Sequence, residues 1–278
     1  KVPENKAKIL VAANNFHGRT LSVISFSSEP LYQKDFGPFT PGFEFIHYND
    51  LESVKKAIDS NTAAILLEPL QAEAGVILPK PGFLKEVYSL CKQNNILFIV
   101  DEIQTGLGRT GKRFCVEHEG IVPDVFILGK ALGGGLLPIS AVVSNRDILS
   151  QFTPGTHGST FGGNPLACAV ARVALKILVK DGLIERSHQL GNKVLEKLKQ
   201  IDAPEIKEIR GKGLLIGIEM KPSANGARRY CEALAQKGVL CKETHEHVIR
   251  IAPPLNIEET LLWKGVDTVI QTIRELRN

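Results

Sequence analysis

The sequence predicts an α/β fold: a mostly parallel, doubly wound sheet followed by a smaller C-terminal α/β region. Three observations carry this. Short apolar runs rich in β-branched and aromatic residues recur at Ile9–Ala13, Ala63–Leu67, Ile96–Val100, Val125–Leu128 and Ile139–Val143. Runs of this kind suit strands buried on both faces of a parallel sheet. Amphipathic helical stretches separate them, as βαβ units require, and beyond residue 180 the composition shifts toward charged helix formers.

Taken in order, Leu51–Ser60 and Gly82–Asn94 read as helices, the second with Leu84, Val87, Tyr88 and Cys91 on one face. Between the first strand and these helices, Phe36–Phe43 is too rich in Pro and Gly for either element and reads as a loop carrying three aromatics. A packed surface loop, a lid and an interface element all stay open for it. Asn164-Pro165 reads as the N-cap and first position of a long helix. Helical spacing of apolar residues continues through Ala167–Val179 and Leu190–Ile201. Arg210–Gly213 then reads as a turn, Leu214–Glu219 and His247–Ile251 as short strands, and Glu258–Leu276 as a final helix. The expected division is 1–180 and 181–278.

With 278 residues, 43% of them hydrophobic, the chain can bury a full core in one or two domains. A net charge of +4 with dispersed basic residues weighs against nucleic acid as a partner. No apolar stretch reaches membrane-spanning length. The five cysteines lack CxxC or metal-like spacing and read as reduced thiols of an intracellular protein. His245-Glu246-His247 could set two imidazoles on one strand face, but further ligands are not evident, and no metal is expected. Lys1–Lys6 has no apolar core or Arg-rich pattern, so a targeting segment is not expected there. The abrupt entry into the first strand suggests the later part of a longer protein.

The chemistry concentrates at two strand ends. Asp101 follows Ile96–Val100, and Lys130 follows Val125–Leu128, placing an anion and an amine on the rim where open α/β sheets bind ligands. A lysine partly desolvated there has a lowered pKa and can attack a carbonyl to form a Schiff base. Gly133-Gly134-Gly135 just beyond it lets backbone approach a ligand closely. An aspartate buried nearby persists as an anion only beside a cation. Pyridoxal phosphate meets both needs, with an aldehyde for the lysine and a pyridinium nitrogen for the aspartate. A solvated lysine and a helix-capping aspartate are the plain alternatives. A nicotinamide enzyme is disfavoured, because no GxGxxG follows the first strand.

Asp101-Glu102-Ile103-Gln104-Thr105-Gly106, Arg109-Thr110-Gly111 and Gly129-Lys130-Ala131-Leu132-Gly133-Gly134-Gly135 resemble the class III aminotransferases of the fold-type I pyridoxal-phosphate group. Asn15–Thr20, Glu68–Gly75 and His157–Pro165 belong to the same pattern, which covers essentially the whole chain in order. The resemblance implies a pyridoxal-phosphate-binding large domain at 1–180, incomplete on its N-terminal side, and a small domain at 181–278. It implies that Lys130 forms the Schiff base and then moves the substrate proton, while Asp101 pairs with the pyridinium nitrogen. Gln104 would hydrogen-bond the ring's phenolic oxygen. Phe16 and Ile103 would cover the two ring faces, although either could equally be core. Thr160, with Ser159 beside it, would reach the phosphate of a neighbouring subunit's cofactor, implying a homodimer with shared sites. A turn or N-cap hydroxyl is the alternative there.

Phe36–Phe43, Tyr48–Leu51 and Ile249–Leu255 look most like family members that act on ornithine. On that resemblance Arg19 would hold the α-carboxylate of L-ornithine. Arg250 would bind that of glutamate or 2-oxoglutarate, and Glu73 would pair with Arg250 while ornithine is present. Products would be glutamate and glutamate 5-semialdehyde, which cyclises to pyrroline-5-carboxylate, within proline and arginine metabolism. The compartment implied is the cytoplasm, or the mitochondrial matrix in a eukaryote. Acetylornithine or another ω-amino acid as substrate, and an inert scaffold of the same fold, remain alternatives. Two departures stand out. The family usually has Gly at Ala72, and its Gly-Ala-Glu-Ala-type phosphate turn, placed before the first strand, is not found. Weak or absent activity is therefore expected of this stretch alone.

Overall fold

The computed structural model describes Val2 and residues 5–276, so the reading of Lys1–Lys6 falls partly outside the described residues. The chain separates into two compact units. The first takes Lys1–Pro69, Pro79–Gln104 and Val116–Ile177; the second takes Leu70–Leu78, Thr105–Cys115 and Leu178–Asn278.

The first unit is built on a sheet of β1 (Lys8–Ala12), β2 (Phe43–Ile46), β3 (Thr62–Leu67), β4 (Leu97–Asp101), β5 (Val125–Leu128) and β6 (Ala141–Ser144), in the order β2-β1-β3-β4-β5-β6. Every pairing is parallel except β5 with β6. Leu10, Val11, Ile65, Leu67, Phe98 and Val100 are fully buried, each burial contributing about 1.5–3 kcal/mol. The short helices α1 (Leu21–Ile24) and α2 (Pro30–Gln33) follow β1. Asp50 caps α3 (Leu51–Ala57) by accepting from the N–H groups of Glu52 and Ser53, both at 3.1 Å. In α4 (Phe83–Gln93) the expected face is buried at Leu84, Val87 and Cys91, while half-buried Tyr88 lays its ring against Phe98.

The edge strand departs from expectation. It starts at Ala141 rather than Ile139, because only from Ala141 does it pair with β5; Ile139 and Ser140 line a cavity instead. Beyond α5 (Arg146–Leu149), Asn164 Oδ1 accepts from the Ala167 N–H at 2.9 Å and opens α6 (Pro165–Lys180) as expected.

The second unit packs α7 (Leu183–Lys199), α8 (Arg228–Gln236) and α9 (Glu259–Glu275) against an antiparallel sheet. Its strands are β7 (Ile206–Lys212), β8 (Leu215–Met220), β9 (Lys242–Thr244) and β10 (Val248–Ile251), ordered β7-β8-β10-β9. Leu198, Leu214, Ile218, Tyr230 and Ile249 sit fully buried in its core. Unlike a simple cut at residue 180, this unit includes two early segments. The reason is packing: Leu70, Ala72, Val76 and Cys115 share one buried cluster with Leu215.

Two local expectations are corrected here. Arg210–Lys212 are not a turn but the end of β7, and the turn tightens to Gly213-Leu214, with Gly213 at φ +53°. His245 and Glu246, at φ +50° and +64°, form the left-handed turn between β9 and β10. The two imidazoles therefore do not share a strand face.

Candidate active site

Asp101 ends β4 and is only 5% exposed. Its Oδ1 accepts from the Ile103 N–H at 2.9 Å, and its Oδ2 lies 2.7 Å from His17 Nδ1. A buried carboxylate needs such donors to stay ionised. His17 comes from the loop after β1, its ring tilted against Phe26 at 5.8 Å. Its pairing with Asp101 is one that sequence reasoning did not show.

The register pairs Asp101 with Ile127 on β5, and Lys130 follows at the same end of that strand. Lys130 opens a tight turn, Lys130–Gly133, at φ +41°. A non-glycine residue held there stores about 1–3 kcal/mol of strain, which is retained where surroundings or function require it. Gly129 brings this turn close to the Asp101 loop: a Cβ there would stand 3.4 Å from the Ile103 side chain. Ile103, Gly129, Lys130, Ile139, Phe161 and Asn164 help to line a cavity of about 470 Å³. One expectation is not met. Lys130 is exposed rather than partly desolvated, and Phe161, which lines the same cavity, is 83% exposed.

Phe16 and Arg19 also come together. The Arg19 guanidinium lies 3.7 Å from the Tyr32 ring centroid and 5.5 Å from that of Phe16, a cation–π pairing. The Phe16 N–H donates to Glu68 Oε2 at 3.1 Å, which ties this loop to the end of β3. Gln104 follows β4, half-buried. Ser159 and Thr160 lie on an exposed segment ahead of α6; Ser159 Oγ accepts from the Gly162 N–H at 2.9 Å, so it serves as a turn hydroxyl.

The second unit holds the other expected pair. Arg250 Nη1, on β10, donates to Glu73 Oε1 at 2.7 Å, and both side chains are 16% exposed. Lys242 Nζ, on β9, adds a second cation 3.0 Å from Glu73 Oε2. Burial raises the Glu73 carboxyl, but Arg250 and Lys242 outweigh it and hold it below the ordinary carboxylate range. Sequence reasoning missed Lys242, since nothing local marks a lysine 169 positions from its partner. Ala72, where Gly was expected, is fully buried and its carbonyl accepts from the Val76 N–H at 3.2 Å. Arg109 is structural: Nη1 donates to the carbonyls of Leu214 and Pro253 at 3.1 and 2.6 Å, and burial pushes its guanidinium down to about 10.

A strand-end carboxylate fixed by two donors, with a strained lysine at the next strand end, marks the chain as an amine-handling α/β transferase. The aminotransferase class-III model matches residues 1–273, and the chain belongs to that family. It is 56% identical over 273 residues to an ornithine aminotransferase of Brevibacillus brevis, covering 98% of this chain and 68% of that one. The ornithine aminotransferase structure from Toxoplasma gondii ME49 superposes with TM-score 0.97 at 43% identity, covering 99% and 66%. An acetylornithine aminotransferase from Elizabethkingia anophelis follows at TM-score 0.85 and 42% identity, covering 99% and 67%. The chain thus spans about two thirds of the length of the relatives it matches.

The family works with pyridoxal phosphate, and the residues present fit it. Asp101 keeps lone pairs beyond those taken by His17 and Ile103. Lys130 lies on a cavity wall that Ile103 makes partly apolar.

Proposed function

We propose that the whole protein to which this chain belongs is an ornithine aminotransferase, moving the δ-amino group of L-ornithine to 2-oxoglutarate. The observation that carries the reading is the Glu73–Arg250 pair at 2.7 Å. An enzyme that alternates between a cationic diamino acid and a dicarboxylate needs an arginine for the second carboxylate and a way to neutralise it for the first. Glu73 supplies that neutralisation, and Lys242 gives its carboxylate a second partner. The names of the similar proteins support the same substrate.

Pyridoxal phosphate, when bound, supplies the electron sink for proton loss beside the amine. The chain's residues do the rest. Lys130 Nζ would hold the cofactor, and its amine would take and return the substrate proton as general base and acid. Asp101 presents a fixed anion, steadied by His17. Gln104, Phe16 and Ile103 would orient the ring, and Arg19 would take the ornithine α-carboxylate through its planar fork. Thr160 would contact the phosphate in a partner's site, with Ser159 Oγ holding the turn beside it, so the working unit is a homodimer.

The test is turnover by the full-length protein with pyridoxal phosphate and 2-oxoglutarate, supplied with L-ornithine or N-acetylornithine. Ornithine should be preferred by kcat/KM. A preference for the acetylated amine overturns the substrate, and absence of glutamate formation with either overturns the activity. Light scattering of the same sample should give twice the subunit mass.

A further inference from the structure

Glu73 sits on a small loop that closes on itself, with Gln71 N–H donating to Ile77 O at 3.1 Å and Ile77 N–H to Gln71 O at 2.9 Å. At its tip Gly75 has φ +111° and Val76 φ +56°. A β-branched residue in the left-handed region is strained and stays there only where its surroundings over-determine it. Arg210 on β7 does much of that. It is 7% exposed, its Nε donates to the carbonyls of Gly75 and Val76 at 3.2 and 3.0 Å, and its Nη2 donates to Gly75 O at 2.6 Å. Nη1 faces the other way, to Glu208 at 2.7 Å and to Glu219. Val76, fully buried, rests over Gly217 on β8, where an added Cβ would stand 3.0 Å from Val76 Cβ. Thr244 Oγ1 holds the Glu73 carbonyl from β9.

We infer that Arg210 is a positioning residue for the Glu73–Arg250 pair, and that it thereby sets the balance between the cationic amine donor and the dicarboxylate without touching either. This rests on the ornithine reading above. Only a planar fork can hold two successive carbonyls and a carboxylate pair at once; a lysine keeps the charge and loses the clasp. Once the clasp is lost the loop relaxes, Glu73 meets Arg250 less of the time, and Arg250 is more available to a substrate carboxylate.

The experiment is a double-mutant cycle in the full-length enzyme with Arg210→Lys, Glu73→Gln and their combination, reading half-reaction kcat and KM for ornithine and for glutamate. Arg210→Lys should lower the ornithine-to-glutamate ratio of kcat/KM by about tenfold, chiefly through a lower KM for glutamate, and by less than about twofold in the Glu73→Gln background. Gly217→Ala, which presses on Val76 from β8 in the register row between Arg210 and Arg250, should move the ratio the same way and serves if Arg210→Lys does not fold. Equal losses for both substrates, or an effect that persists in Glu73→Gln, overturn the role of Arg210. A wild-type enzyme that ignores ornithine sinks the substrate reading alone, since the glutamate KM across the same cycle still decides what Arg210 does.

Discussion

His17 Nδ1 and Asp101 Oδ2 are 2.7 Å apart, with the two side chains 4% and 5% exposed. An ionised carboxylate can only accept, so His17 is the donor through Nδ1 whenever Asp101 carries its charge. The contact joins the loop after β1 to the end of β4 and leaves Asp101 one defined orientation. His17→Phe keeps a ring against Phe26 and removes the donor. A hydrogen bond to a charged group is worth about 1.5–3 kcal/mol, so kcat/KM of the full-length protein should fall by about tenfold or more, with weaker retention of pyridoxal phosphate on dialysis. Unchanged cofactor affinity and rate would show that Ile103 N–H alone suffices to hold Asp101.

Lys130 is the residue whose loss should cost most. Its position on the cavity wall at the end of β5, in a backbone conformation that favours glycine, serves chemistry better than stability. Lys130→Ala should abolish covalent capture of pyridoxal phosphate by borohydride and lower turnover by about 10²–10⁴-fold. Its far-UV circular dichroism should match the wild type, because the Lys130 side chain is exposed rather than part of the core. Borohydride capture that survives the substitution would assign the amine to another lysine.

Much of the first unit was legible in the sequence because its central strands are buried on both faces and read as unbroken apolar runs. β2 escaped because it is an edge strand of four residues, Phe43–Ile46, directly behind a Pro/Gly loop. β7 escaped because Ile-Lys-Glu-Ile-Arg-Gly-Lys is mostly polar, and the carbonyls that receive its buried charge, Arg210, belong to Gly75 and Val76, far away in sequence. α8 has only Tyr230, Cys231 and Leu234 to mark its buried face among charged neighbours. The site divides the same way. Asp101, Lys130, Glu73 and Arg250 stood out through motifs, whereas His17–Asp101 and Lys242–Glu73 are pairings that only the folded chain reveals.

Gly191 in the middle of α7 sets two effects against each other. Alanine there would gain about 0.5–1 kcal/mol of helix propensity. Its Cβ, however, would fall 2.1 Å from the carbonyl oxygen of Gly213, which itself packs on the Thr110 backbone at φ +53°. Backbone on both sides leaves nothing flexible to yield, so overpacking wins and Gly191→Ala should destabilise by about 1–3 kcal/mol or more. Urea unfolding checks this; a midpoint equal to wild type would mean that α7 shifts away from the turn without loss.

The Glu73 carboxyl gives a pH dependence with a definite sign. Burial raises it, but Arg250 and Lys242 depress it further, so its folded-state value lies below the unfolded one. The pair therefore stabilises fully above the unfolded value of about 4.3 and is lost as pH falls through the depressed folded value. Glu73→Gln, which keeps the shape and removes the charge, should cost about 1.5–3 kcal/mol at neutral pH. That difference should shrink as wild-type Glu73 protonates, so the stabilities measured by denaturant at a series of acid pH values converge. A gap that stays constant down to the lowest pH at which both proteins fold would mean that Glu73 acts through packing and neutral hydrogen bonds, and the charge-neutralising role proposed for it would fall.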